Sequence, residues 1–449
     1  MSTPTTQATY PESKSRFLIN RNYRFLFTGR AISLLGDQVS TYTIILWIVT
    51  IIASGQAWAP LAISAVLIAS LAPNLLIGPL AGVFVDRWDH RVTMMRMDTI
   101  RALLSFLLVA FTGVIQLPFF TNGRPPQMVQ LVVICTITFL NSACSQFFSP
   151  ASMGILARII PKGERPKAAG LGQTMQAFAT IVGPPLAAPL LFAFGVQWAL
   201  LIDAFSFVVS LLTIWAIHVP VAPGKRSVQN NLRREFIDGL RFSFGNHTIR
   251  TIIVASFIAT FGAGAFDALY VFFLPGNLHV PAAFTGVVAA ALGVGMIGGA
   301  FAAAKMARQV GLERLLYLSL LGSGLCLIML SRLTIFLPAL ALFFLFGTLL
   351  ASIRVATSPM LLNETPQEML GRVFAVINPT SILASLISAS LSGYLASVFL
   401  GKLHWHILGT TFGPIDTIFT GVGLLFLLSG LYTYRSLTRK QHEQEVQVS

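Results

Sequence analysis

The chain has 449 residues, of which 55% are apolar and only 10% charged, with a formal net charge of +14. An ordinary soluble domain carries about 25% charged residues. So few charges cannot cover a wetted surface, which excludes a soluble enzyme of alternating strands and helices, a collagen and a disordered chain.

A helix crosses the hydrocarbon core in about 20 apolar residues. Twelve such runs follow one another at 26–52, 59–85, 93–116, 127–148, 168–194, 198–219, 249–274, 283–304, 312–331, 334–356, 372–400 and 415–434. Their length and lack of alternation predict helices, since a barrel strand crosses in about 10 residues. The expected fold is an all-α membrane protein with twelve transmembrane helices in two pseudo-symmetric six-helix bundles. The divisions are a cytoplasmic tail at 1–25, a first bundle at 26–219, a linker at 220–248, a second bundle at 249–434 and a cytoplasmic tail at 435–449. The first 25 residues lack an apolar stretch ending in a small-residue cleavage site, so no leader is expected to be removed.

With the N-terminus in the cytoplasm, 25 of the 30 basic residues fall inside, among them Arg87, Arg91, Lys225, Arg226 and Arg354. Arg124, Arg332 and Lys402 fall outside, and Arg30 and Arg101 lie within spans. That asymmetry follows the positive-inside rule. The net charge therefore expresses topology and attraction to an anionic lipid bilayer, with no soluble domain to present a nucleic acid. Asn246-His-Thr248 and Asn363-Glu-Thr365 match the glycosylation acceptor pattern, but they fall on the cytoplasmic side.

Cys135 and Cys144 share one predicted helix, Cys326 is in another, and no CxxC occurs, so neither a disulfide framework nor a zinc site is expected. His218, His279, His404 and His406 lie at span ends or in loops without grouped carboxylates, which argues against metal binding. No GxxxxGK[ST] phosphate loop and no nucleophile–base constellation occurs, so neither a cofactor nor enzymatic activity is expected.

The two halves echo each other. Gly78 and Gly82 in span two have counterparts in Gly295 and Gly299 of span eight; Ser149-Pro150 opens loop four-five as Ser358-Pro359 opens loop ten-eleven; Asp37 in span one answers Asp267 in span seven. Parallel repeats place a binding site between the halves at mid-membrane, served by alternating access.

Span two ends in the most specific segment, GPLAGVFVDRWDHR from Gly78 to Arg91. Gly78, Gly82 and Asp86 recur every four residues on one helix face. The glycines allow a second helix backbone to approach, and Asp86 sits at a helix end beside Arg87 and Arg91. The segment resembles the signature loop between helices two and three of the major facilitator superfamily, with Asp89 in place of the usual glycine and His90 in place of a basic residue. Asp89 there resembles the branch of twelve-span drug–proton antiporters that contains macrolide exporters and the enterobactin exporter. The stretches Gly29–Asp37, Asp98–Arg101, Phe148–Pro150, Asp203–Phe207 and Leu370–Val373 are similar to that branch as well. Gly183-Pro184-Pro185-Leu186-Ala187-Ala188 resembles its antiporter motif, with alanines replacing the two final glycines.

The resemblance implies a secondary transporter of the bacterial inner membrane, with small-molecule substrates and protons as partners, acting as a monomer. The expected activity is proton-coupled efflux of amphipathic drugs such as macrolide-like compounds. The alternatives are a siderophore or metabolite exporter and, from another class, a non-transporting membrane sensor or scaffold, which would not need carboxylates at membrane depth. Buried carboxylates in a span mark function by default. Asp37 is the first candidate for proton coupling or substrate contact, with Arg30 seven residues earlier on the same face as its expected partner, and Asp267 is the second. Asp98 and Arg101, three residues apart, are expected to brace a helix end. Gly78, Gly82, Asp86, Arg87 and Arg91 form the expected gate, Gly183 and Pro184 shape span five, and Phe261 and Phe266 are candidates to line an apolar cavity.

Overall fold

Helices begin here where a short polar side chain can occupy the free N–H groups of a first turn. Asn20 accepts from the Tyr23 amide at 2.7 Å, Asp89 from Val92 at 2.9 Å and Asn246 from Ile249 at 3.1 Å. The computed structural model describes residues 19–113, 125–217, 232–399, 405–407 and 410–448. Lys14, Arg16, Arg124, His218, Lys225, Arg226, Lys402 and His404 lie outside the described residues.

The first half comprises α1 (Arg21–Trp47), α2 (Ala59–Leu76), α3 (Gly78–Val85), α4 (His90–Ala110), α5 (Gln127–Ile159), α6 (Arg165–Pro189) and α7 (Val196–Trp215). The second comprises α8 (Leu232–Gly245), α9 (His247–Gly276), α10 (Thr285–Val310), α11 (Leu312–Arg332), α12 (Phe336–Glu364), α13 (Leu370–Tyr394) and α14 (Pro414–Val448). Helices α2 and α3 together form the second span. Helix α8 lies before the seventh, so twelve transmembrane units remain. Eleven of these are long and apolar enough to cross a membrane. The twelfth, α4, misses on hydropathy because it carries Arg91, Arg96, Asp98 and Arg101. Asp98 and Arg101 point inward, 0% and 6% exposed, while Leu103 and Leu107 of the same helix face outward.

Each half repeats one packing scheme. In the first, α1 packs on α6 and α7, α4 on α5 and α7, and α2 on α5; in the second, α9 packs on α13 and α14, α11 on α12 and α14, and α10 on α12. The largest contacts that join the halves, α6 with α10 and α2 with α13, are also related by this symmetry. Helices α6 and α13 both finish in a π-helical turn, Leu190–Phe194 and Leu395–Phe399. Exposed side chains such as Phe301, Leu337, Leu428 and Val132 supply the lipid-facing belt.

The halves meet near one end of the molecule. The Leu61 amide donates to Ser397 at 3.1 Å, Gly393 lies against Ser64, and Gly286 lies against the Pro184 and Pro185 backbone. At the other end, which carries the start of α1 and most of the cations and is called here the basic end, Gly82, Gly298 and Gly371 face open space. Helix α3 packs on α2 and α5 of its own half, which leaves a gap between the halves at the basic end.

Several expectations change. Part of the predicted linker is helix α8, which packs on α13 and pairs Asp238 with Arg372 at 3.5 Å. The predicted tail after 434 continues α14 to Val448. Ser149-Pro150 and Ser358-Pro359 lie inside α5 and α12 instead of opening loops, because packed neighbours in a membrane bundle satisfy the carbonyls a proline frees. A two-stranded antiparallel hairpin, Trp405–Ile407 with Thr410–Phe412, precedes α14 in an otherwise helical chain.

Candidate functional site

Halfway along α1, Asp37 turns towards α4 and α7. Arg101 Nη2 donates to both of its carboxylate oxygens, at 2.7 and 2.9 Å. The guanidinium lies 4.0 Å above the Phe207 ring of α7, a cation–π contact that strengthens when water is excluded. One turn along α7 from Phe207, Asp203 accepts from Ser105 Oγ at 3.0 Å. One turn before Arg101, Asp98 is fully buried, and neither of its oxygens has a hydrogen-bond partner; Asp203 Oδ1 and Arg101 Nε have none either. The three helices come this close because α1 has Gly36 where a side chain would collide with Ser206 of α7. Three carboxyls thus surround one guanidinium at membrane depth, where an unpaired charge is costly. The Arg101 side chain is 7% exposed and that of Asp37 32%, so Asp37 opens the cluster to the gap.

Arg30 is not the partner of Asp37. Seven residues place it about 10 Å along the axis, too far for the pair, and its Nη1 donates instead to Ser152 of α5 at 3.0 Å. Nor do Asp98 and Arg101 brace one helix end: Arg101 crosses to α1 and leaves Asp98 unpaired. In the second half Asp267 lies on α9, one turn further from its N-cap than Asp37 is on α1, and is exposed. It neighbours Tyr42 of α1 and Tyr270, with Arg354 of α12 within electrostatic reach. Arg354, counted by charge asymmetry among the inner cations, is therefore ten residues inside its helix.

The gate segment is assembled differently from its expected form. Helix α2 breaks at Ile77 and α3 packs on α5, leaving Gly82 with nothing within 4 Å. Asp86 is exposed and has no ion-pair partner among the described residues. Arg91 does not pair with it; its Nε donates to the Ile214 carbonyl at 3.2 Å and its Nη2 to the Trp215 carbonyl, closing the C-terminal end of α7. A guanidinium there complements the negative end of the helix, adding to the Ile217 amide from which the Ile214 carbonyl already accepts at 3.1 Å. Arg87 is exposed beside it.

Gly183 of α6 lies against Gln38, the residue after Asp37, with no room for a side chain. Pro184 and Pro185 follow at once, and their backbone meets Gly286 of α10. The antiporter-like segment thus links the Asp37 region to the second half. Phe266 does not line a cavity: it is 3% exposed, stacks on Tyr270 and Phe419, and meets Phe343 edge-on and Phe346 at a tilt, all with ring centroids within 6 Å. Phe261 stacks on Phe257.

Sequence reasoning left Asp203, Ser105, Tyr42 and Arg354 out of the site. Asp203 carried the one usable signal, an acidic residue in an apolar run. Its proximity to Asp37 needed the α1–α4–α7 packing.

A family model described as Major Facilitator Superfamily matches residues 26–389. The chain belongs to that superfamily. It is 26% identical to the uncharacterized MFS-type transporter YkuC of Bacillus subtilis (strain 168), over 96% of this chain and 95% of that one. It is 22% identical to macrolide efflux protein A of Streptococcus pyogenes, over 86% and 92%. It is 26% identical to the enterobactin exporter EntS of Escherichia coli O1:K1 / APEC, over 64% and 68%. Among solved structures, a bacterial homologue of the iron transporter ferroportin in an inward-facing state superposes with a TM-score of 0.68 at 14% identity, covering 93% of this chain and 98% of that one. At that identity the likeness establishes the fold.

Proposed function

We propose that this chain is a proton-coupled exporter of amphipathic small molecules, working by alternating access in a bacterial inner membrane with the basic end in the cytoplasm. The observation that carries the reading is the Asp37–Arg101 pair: a carboxylate facing the gap, held by a guanidinium inside a cluster with two surplus carboxyls. The cluster is short of positive charge, and a proton is the smallest cation that makes up the difference. With Asp37 bound to Arg101, the gap is open to the cytoplasm and a substrate enters beside Asp37 and Asp267. A proton on Asp37 would free Arg101 to turn to Asp98 or Asp203, which have empty acceptor positions. That exchange shifts α4 and α7 against α1, and α6 transmits the shift through Gly183 and Pro184 to α10. The similarity to a macrolide efflux protein supports amphipathic drugs as the substrate class. A second reading, export of an anionic metabolite such as a siderophore, is favoured by one feature, the exposed Arg354 near Asp267, and by the similarity to an enterobactin exporter. The chain would act as a monomer.

The test uses everted membrane vesicles, recording proton movement on addition of a macrolide, a neutral amphipathic compound and a catecholate. Asp37→Asn is expected to abolish substrate-dependent proton exchange while the protein still folds into the membrane. Proton exchange by Asp37→Asn with any of the three compounds would overturn the coupling assignment. Uptake of the catecholate alone would move the substrate class to the second reading.

A further inference from the structure

A groove of about 720 Å³ lies at the seam between α4 and α7, on their exposed side. Its walls are Val92, Met95 and Ile100 from α4 and Leu211, Leu212 and Trp215 from α7. Arg96 is the one charged residue lining it. The groove belongs to the first three turns of α4 and the last two of α7, so it sits at the basic end of the molecule, level with the membrane interface.

Three features distinguish this groove from ordinary lipid-facing surface. Arg96 is exposed, and no carboxylate lies within ion-pair distance of it among the described residues. Arg87, one loop away, is exposed and equally free of an acidic partner. Trp215 is 65% exposed at the last residue of α7, the depth at which indole rings anchor a helix among headgroups. An apolar channel capped by an unpaired guanidinium and an interfacial indole complements one kind of molecule: a lipid with an acyl chain to fill the channel and a negative headgroup to meet Arg96. A long arginine stem reaches the interface from within the helix, and a guanidinium grips phosphate oxygens in a two-pronged fashion.

We propose that this groove is a binding site for an anionic phospholipid of the cytoplasmic leaflet, with Arg96 holding the phosphate, Trp215 packing at the glycerol level and the α4–α7 channel taking an acyl chain. The inference rests on the orientation given under Proposed function, which puts the basic end against the leaflet rich in anionic lipid. The bound lipid would lie on the outer side of the same two helices whose inner side holds Arg101 and Asp203. Asp98, two residues after Arg96, faces the cluster from the buried side of α4.

The measurement is quenching of tryptophan fluorescence in vesicles containing brominated phosphatidylglycerol or brominated phosphatidylcholine. The Trp215 contribution is obtained by difference from Trp215→Phe, and Trp198, exposed at the far end of α7, serves as the reference. Brominated phosphatidylglycerol is expected to quench Trp215 at a mole fraction about five-fold lower than brominated phosphatidylcholine, the preference one arginine contributes near a membrane surface. Trp198 should show no such preference. Arg96→Gln should remove the preference and Arg96→Lys should retain most of it. Because Arg96 is exposed and pairs with no carboxylate among the described residues, both variants should elute as the folded protein on size exclusion. Equal quenching of Trp215 by the two lipids would identify ordinary boundary lipid and overturn the proposal, as would a preference that survives Arg96→Gln. Neither outcome depends on transport, so failure here leaves the exporter reading intact, and failure of proton exchange leaves the lipid site intact.

Discussion

The two halves of this transporter share a packing scheme and differ in what they pack. Where α1, α4 and α7 meet, the first half encloses Asp37, Asp98, Arg101 and Asp203. In the second half, α9, α12 and α14 instead enclose Phe266, Phe343, Phe346, Phe419 and Phe426. The rings stack, tilt or meet edge-on with centroids 5.4–6.3 Å apart, which adds to their burial and leaves no group to titrate. A charged cluster has alternative arrangements with different protonation, whereas an aromatic core has one good packing. The contrast assigns rearrangement to the first half and rigidity to the second, with Asp267 on the gap-facing side of a rigid wall.

Breaking the charged cluster should have the largest effect. Arg101→Leu leaves three carboxyls without a cation and is expected to abolish transport. It should also destabilise the protein by about 3–5 kcal/mol, the usual cost of removing one partner of a buried pair, read by thermal unfolding in detergent and by vesicle assay. Retained transport would show that the cluster only holds helices together. Asp37→Asn keeps the shape and removes the gap-facing charge, so transport should fall at least 100-fold with a change in stability of only about 1 kcal/mol.

Gly82→Leu probes the gate. Open space surrounds Gly82 in this conformation, so the variant should melt like the parent. Its transport should drop about ten-fold, because α3 must meet the second half when the gap closes; cysteine pairs across the basic end should then fail to cross-link. Full activity would show that this face never makes contact. Smallest for transport is the mirror experiment in the second half. Phe266→Ala should cost about 3–5 kcal/mol of stability, yet leave proton exchange per folded molecule within about two-fold of the parent. Loss of coupling in that variant would erase the contrast between the halves.

Much of the architecture was legible because a membrane allows few solutions. Length of apolar run, charge asymmetry and repeated landmarks suffice to anticipate the helical bundle and its two-fold relation. The site was legible at single residues and illegible at pairings. Asp37 stood out as an acid in an apolar run, but its partner lies 64 positions away on a helix whose own charges hid its inward face. Arg30 shares the Asp37 face of α1, and same-helix proximity suggested the wrong pair. The repeat landmarks also misled in detail: Gly295 and Gly299 pack on the α12 backbone at Phe344 and Thr348, whereas Gly82 faces open space. Spacing identifies glycines that permit close approach; the rest of the fold determines which of them are used. Phe266 is a candidate cavity residue by its place next to Asp267 in the chain, yet consecutive helix residues point apart, and it turns into the core while Asp267 is exposed.

The contacts that join the halves have a mechanical consequence. Among them are Gly286 and Gly393, residues without side chains that touch backbone and serine, so the halves approach closely there and make a fulcrum. From Gly286 to Val310, α10 extends about 36 Å, and each degree of tilt about that fulcrum moves the basic end by about 0.6 Å over that length. A tilt of about ten degrees therefore moves the mouth by about 6 Å, and the leverage depends on keeping the fulcrum residues small.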